Sequence, residues 1–129
     1  MKDSDRDPTV LLQENAAAMS LLATRRLYAE QPELWRLGEY GRARTLEDFG
    51  HHFAALARLD DRAFEAHVRY CYGLFGARGF PPRWLADAWR HMEPVLRSQL
   101  PPHAAEPAIA LLLKTTSAGG TAALPPEEV

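Results

Sequence analysis

Apolar residues recur three and four positions apart along most of the chain, and no stretch alternates in the manner of a strand with hairpin signals, so the pattern predicts an all-α protein. Asp7 followed by Pro8 supplies an acidic N-cap and a proline at the first helical position. Val10, Leu11, Ala17, Ala18, Leu21, Leu22 and Tyr28 then follow at helical spacing, which predicts a long amphipathic first helix ending before Pro32. Pro32 opens a short second helix with Leu34, Trp35 and Leu37, and Gly38 and Gly41 around Tyr40 suggest a corner.

After that corner Leu46, Phe49, Phe53, Leu56 and Leu59 form one face of a third helix, from about Leu46 to Leu59. Asp60 and Asp61 stop it and cap a fourth, whose inner side gathers Phe64, His67, Val68, Cys71, Tyr72, Leu74 and Phe75. Gly79, Pro81 and Pro82 close the fourth helix. A fifth, from about Pro82 to Leu100, buries Trp84, Leu85, Ala88, Trp89, Met92, Val95 and Leu96, with a kink expected at Pro94. A last helix runs from about His103 to Lys114. The expectation is one domain of about six helices over residues 8–114, a charged tail over residues 1–7, and an aperiodic, mobile tail over residues 115–129.

Composition narrows this picture. A chain of 129 residues can bury a core without staples. The formal charge of -2 gives no general attraction to nucleic acid or to an anionic membrane. Cys71 is the only cysteine, which excludes an internal disulfide and a Cys-pair metal site. The charged start and the lack of a long apolar run favour a cytoplasmic protein with no membrane span.

Candidate chemistry concentrates in residues 44–53. At ~100° per residue His52 falls at the border of the apolar face and His51 nearly opposite. Asp48 lies four residues before His52, so its carboxylate is expected to reach the imidazole and hold its tautomer. His67 and Cys71, also four apart, face inward together on the next helix. They offer two soft ligands, but no second pair stands at the spacing of a four-ligand structural zinc site, so no metal is assigned. A satisfied core histidine is the plain alternative for both His52 and His67. Their inward placement on successive helices is also how a globin brackets a tetrapyrrole, which keeps haem in view. Aromatic residues of these helices, Phe49 among them, line a pocket or simply fill a core, and Arg42 and Arg44 are placed to pair with ligand carboxylates. No acid, base and nucleophile set is visible, so an enzyme is not expected.

From Arg44 onward the sequence resembles the second half of a phycobiliprotein subunit. Thr45-Leu46-Glu47-Asp48-Phe49-Gly50-His51-His52-Phe53 follows the order of that family's chromophore segment, and Val68-Arg69-Tyr70-Cys71-Tyr72 resembles its Val-Arg-Glu-Met-Tyr. The resemblance covers about two thirds of the chain and implies a globin-like fold. It places Asp48 on the acid that contacts pyrrole nitrogens and His51 and His52 on a tyrosine pair. Thr45 stands where the family has its attaching cysteine, so a covalent bilin is not implied, and Glu47 replaces an arginine that holds a propionate.

The chain looks most like the bilin biosynthesis-associated globins or the non-haem sensor globins of bacteria. This implies noncovalent binding or transfer of a linear tetrapyrrole by Asp48, His52, His67, Arg42, Arg44, Thr45, Phe49 and Tyr72. Implied partners are a second copy, paired through the first or last helices, and bilin-biosynthetic enzymes. Two other readings stay open. One is a ligand-free dimeric regulatory domain whose pocket is filled by Phe49, Phe53, His67 and Phe75. The other, less favoured, is a haem-based sensor.

Overall fold

The computed structural model describes residues 6–118, so residues 1–5 of the charged tail and residues 119–129 of the expected mobile tail lie outside the described residues. It contains five α-helices and no strand among the described residues: α1 (Pro8–Glu30), α2 (Gly38–Ala57), α3 (Asp61–Ala77), α4 (Arg83–Gln99) and α5 (Pro102–Leu113). The short second helix of the sequence pattern is a 3-10 segment, Pro32–Leu37. Among the described residues no helix is long and apolar enough to cross a membrane.

Local signals set most boundaries. Asp7 caps α1, accepting from the Thr9 N–H at 2.9 Å, with Pro8 at the first position. Asp60 caps α3 through the Ala63 N–H at 2.8 Å. α4 continues past Pro94, which lies inside it.

Two boundaries differ from the sequence pattern. α2 begins eight residues before Leu46, at Gly38, whose φ of 75° makes the only sharp turn in that region. Gly41 lies inside the helix, where a Cβ would come within 2.6 Å of the Leu37 Cβ. That glycine permits close contact with the preceding segment and does not break the helix. At the other end Lys114–Ala118 forms a π-helical turn that buries Thr115, so ordered chain continues beyond residue 114. Lys114 pairs there with Asp61 at the start of α3.

α1 packs against α2 and α4, and α5 closes the same core. Leu12, Met19, Phe53, Leu56, Phe64, Met92, Leu96 and Leu112 are fully enclosed. The buried stripe of α1 is rotated from the simple apolar pattern: Val10, Ala17 and Ala18 are exposed, whereas Ser20 and Thr24 are buried. Their hydroxyls donate to the helix's own carbonyls, Ser20 to Ala16 at 2.7 Å and Thr24 to Ser20 at 2.8 Å, so small polar side chains enter the interface with their hydrogen bonds made.

Candidate functional site

α2 carries Thr45, Asp48, Phe49 and His52 at spacings that bring them to one side, and α3 does the same with His67 and Cys71. Between these helices, the end of α1 and the start of α4 lies a cavity of about 930 Å³. Its walls include Tyr28, Leu34, Phe49, Leu74, Phe75 and Trp84, together with Arg44, Thr45, Asp48, His52, His67, Cys71 and Arg78. Such a volume lies within the range of small-molecule pockets, and a mostly apolar wall with a few convergent polar groups is their usual make-up.

The polar groups of α2 and α3 meet at one point. His52 Nδ1 lies 2.9 Å from His67 Nε2, Cys71 Sγ lies 3.5 Å from the same His67 nitrogen, and 4.0 Å separates it from His52 Nδ1. His52 and Cys71 are buried and His67 is half-buried. Packing fixes the rings: His67 stacks on Phe64 at 6.1 Å, and Trp89 meets His52 edge-on at 4.6 Å between centroids. Burial lowers the proton affinity of His52 to a pKa of about 3, with the charges of His67 and His51 adding to the effect. His67 shifts down for the same leading reason. Both rings are therefore neutral near pH 7. Burial pushes the Cys71 thiol up to about 12, and the nearby Asp48 carboxylate adds to the rise. A cysteine nucleophile needs the opposite shift, so this trio is poorly suited to thiolate attack.

The expected Asp48–His52 pair is not formed. His52 turns Nδ1 toward His67, and Asp48 makes no hydrogen bond or ion pair among the described residues. Asp48 is half-buried on the cavity wall, and burial raises its proton affinity against the opposing pull of Arg44, His51 and Arg78. Arg44 lines the cavity but pairs with Glu47 at 3.5 Å. Thr45 donates to the Gly41 carbonyl at 2.9 Å and stands 3.4 Å from the Tyr28 hydroxyl, on the cavity wall.

Two sequence candidates lie elsewhere. Arg42 sits over the Trp35 ring, 6.0 Å from its centroid, and does not line the cavity. Tyr72 turns into the core, where its hydroxyl accepts from Trp89 Nε1 at 3.3 Å. His51 is exposed as expected, yet it stands at the cavity rim.

Sequence periodicity did not single out Arg78, Tyr28, Gln31 or Phe80 as lining residues, because they come from helix ends and a loop. The convergence of His52 with the His67–Cys71 pair was missed as well. The available signal was three inward-facing ligand-type residues on consecutive helices. No family model, no curated protein and no solved structure matches this chain.

Proposed function

We propose that this is a noncatalytic, globin-like binding protein whose cavity between α2 and α3 holds an elongated, largely apolar ligand that donates hydrogen bonds to Asp48. The observation that carries this reading is an unpaired, half-buried carboxylate facing a cavity of about 930 Å³. Its oxygens have no protein donor among the described residues, so a ligand N–H entering the cavity would find a charge-assisted acceptor there.

A linear tetrapyrrole has the required chemistry. Its pyrrole N–H groups would meet Asp48, its conjugated plane the Phe49, Phe75 and Trp84 walls, and its propionates Arg44 and Arg78, in keeping with the position of Asp48 in the resemblance. A ligand-free regulatory domain would fill this space with Phe49, Phe53, His67 and Phe75. Phe53 and Phe49 are buried and His67 and Phe75 stand at the wall, and the volume left between them supports the ligand-binding reading. Haem held between His52 and His67 would require these rings, now in hydrogen-bond contact, to part and admit a macrocycle. Pairing of two copies would use the first or last helix, where Val10 and Leu113 are exposed, and bilin-biosynthetic enzymes in the cytoplasm are the corresponding ligand donors.

Titration of metal-free protein with biliverdin, followed by absorption and by co-elution on a sizing column, tests the proposal. A saturable spectral change with one ligand per chain is expected. An unchanged spectrum with no co-elution would reject it.

A further inference from the structure

We propose that His52 Nδ1, His67 Nε2 and Cys71 Sγ form a three-ligand site for a borderline-soft divalent metal ion of the zinc class, with its fourth coordination position open to the cavity. The three ligand atoms lie within 4.8 Å of one another and come from two helices that are adjacent in sequence. All three residues line the cavity.

Distance is the first argument. A tetrahedral ion with ordinary zinc bond lengths sets its nitrogen ligands about 3.3 Å apart and each nitrogen about 3.6 Å from the sulfur. The observed separations, 2.9 Å between nitrogens and 3.5 and 4.0 Å to sulfur, fall on both sides of these values. Movements of a few tenths of an ångström bring the triangle to the coordination geometry, with no helix displaced.

Chemistry is the second. Three polar atoms of ligand type lie within 4.8 Å of one another and share their hydrogen bonds. The single lone pair of His67 Nε2 cannot accept from both the His52 N–H and the Cys71 S–H at full strength. A cation at the centre engages all three lone pairs together. Both imidazoles are neutral and need lose no proton overall. Whichever ring carries a proton on its facing nitrogen shifts it to its other nitrogen. The Cys71 thiol loses one proton to solvent as its S–H bond breaks and the sulfur–metal bond forms. A divalent ion with one thiolate leaves a charge of +1, and the Asp48 carboxylate is near enough to oppose it.

The set is soft and nitrogen-rich, which favours zinc-class ions over magnesium or calcium. With three protein ligands and access from the cavity, it has the form of a site that keeps a position for water or a ligand donor atom, unlike a closed structural site. This inference does not depend on what organic molecule the cavity accepts. The metal titration contains no organic ligand and the biliverdin titration contains no metal, so either can fail alone.

The test uses the full chain, reduced and stripped with a chelator, titrated with Co²⁺ alone as a spectroscopic stand-in for zinc. One equivalent should bind and give an intense thiolate-to-cobalt charge-transfer absorption, which an equivalent of Zn²⁺ should abolish. Cys71→Ser should lose the charge-transfer absorption, and His67→Gln and His52→Gln should lose saturable binding. If His52→Gln does not fold, the half-buried His67 and the near-isosteric serine change still decide the matter. Absence of a charge-transfer band in the wild-type protein, or its persistence in Cys71→Ser, would overturn the proposal and leave a hydrogen-bonded core cluster.

Discussion

The two sides of α2 solve the problem of burial differently. On one side Phe53, Leu56 and Ala57 enter a closed apolar core, in which the buried hydroxyls of Ser20 and Thr24 are bonded to carbonyls of α1. On the other side Asp48 and His52 face a cavity together with His67 and Cys71, and their hydrogen-bonding capacity is only partly used. Close packing without loose polar ends is what stability requires. The open side departs from close packing through a cavity whose wall holds an Asp48 carboxylate with no hydrogen bond and three ligand-type atoms gathered at one point, whereas the buried polar atoms without a hydrogen-bond partner among the described residues, His91 Nε2 and His103 Nδ1, lie away from it. Departures of this kind are expected where a protein binds something.

The contrast can be broken most forcefully in the core. Phe53→Ala should lower unfolding free energy by about 3–5 kcal/mol, since it leaves a cavity in an enclosed site. Urea denaturation measures this, and a loss below about 1 kcal/mol would mean that the core side is not the well-packed one.

Acid should act next, through His52. Its folded-state pKa is about 3 against an ordinary 6.5, so between these values the unfolded chain takes up a proton that the folded one refuses. Above pH 6.5 the group is neutral in both states and contributes no pH dependence. As pH falls from 6.5 toward 3 it should destabilise the metal-free fold progressively. Thermal melts across this window should show a weaker fall in His52→Gln than in the wild type. Equal slopes would place His52 in contact with water.

Asp48→Ala should be nearly neutral for stability and damaging for ligand binding. Loss of a charge-assisted hydrogen bond, about 1.5–3 kcal/mol, corresponds to at least roughly a tenfold weaker affinity for biliverdin. Tyr72→Phe should remove only its hydrogen bond with Trp89, about 0.5–1.5 kcal/mol of stability, and leave ligand affinity unchanged. Arg42→Ala should have the smallest effect, with affinity unaltered, because Arg42 stacks on Trp35 away from the cavity. A clear loss of affinity in either of the last two would extend the site beyond its present walls.

The division between the two sides also marks what was legible in the sequence. Caps and breakers are local, so Asp7-Pro8, Asp60 and the prolines at 81, 82, 101 and 102 placed helix ends well. The start of α2 was not legible, because Gly38 and Gly41 look alike in sequence and only one of them turns the chain. Inward placement of His52, His67 and Cys71 followed from helical periodicity. Their meeting did not, because it depends on how α2 and α3 are set against each other. The same cause undid the Asp48–His52 pair. Spacing of four residues permits that contact, but a neighbouring helix offers His52 a partner in His67 at 2.9 Å.

The most direct measurement is a paired titration of the metal-free wild type and Asp48→Ala with biliverdin, read by absorption and by co-elution. One bound ligand per wild-type chain is expected, with affinity at least roughly tenfold lower in a folded Asp48→Ala protein. No binding to the wild type, or equal binding to both, would contradict a ligand site built around Asp48.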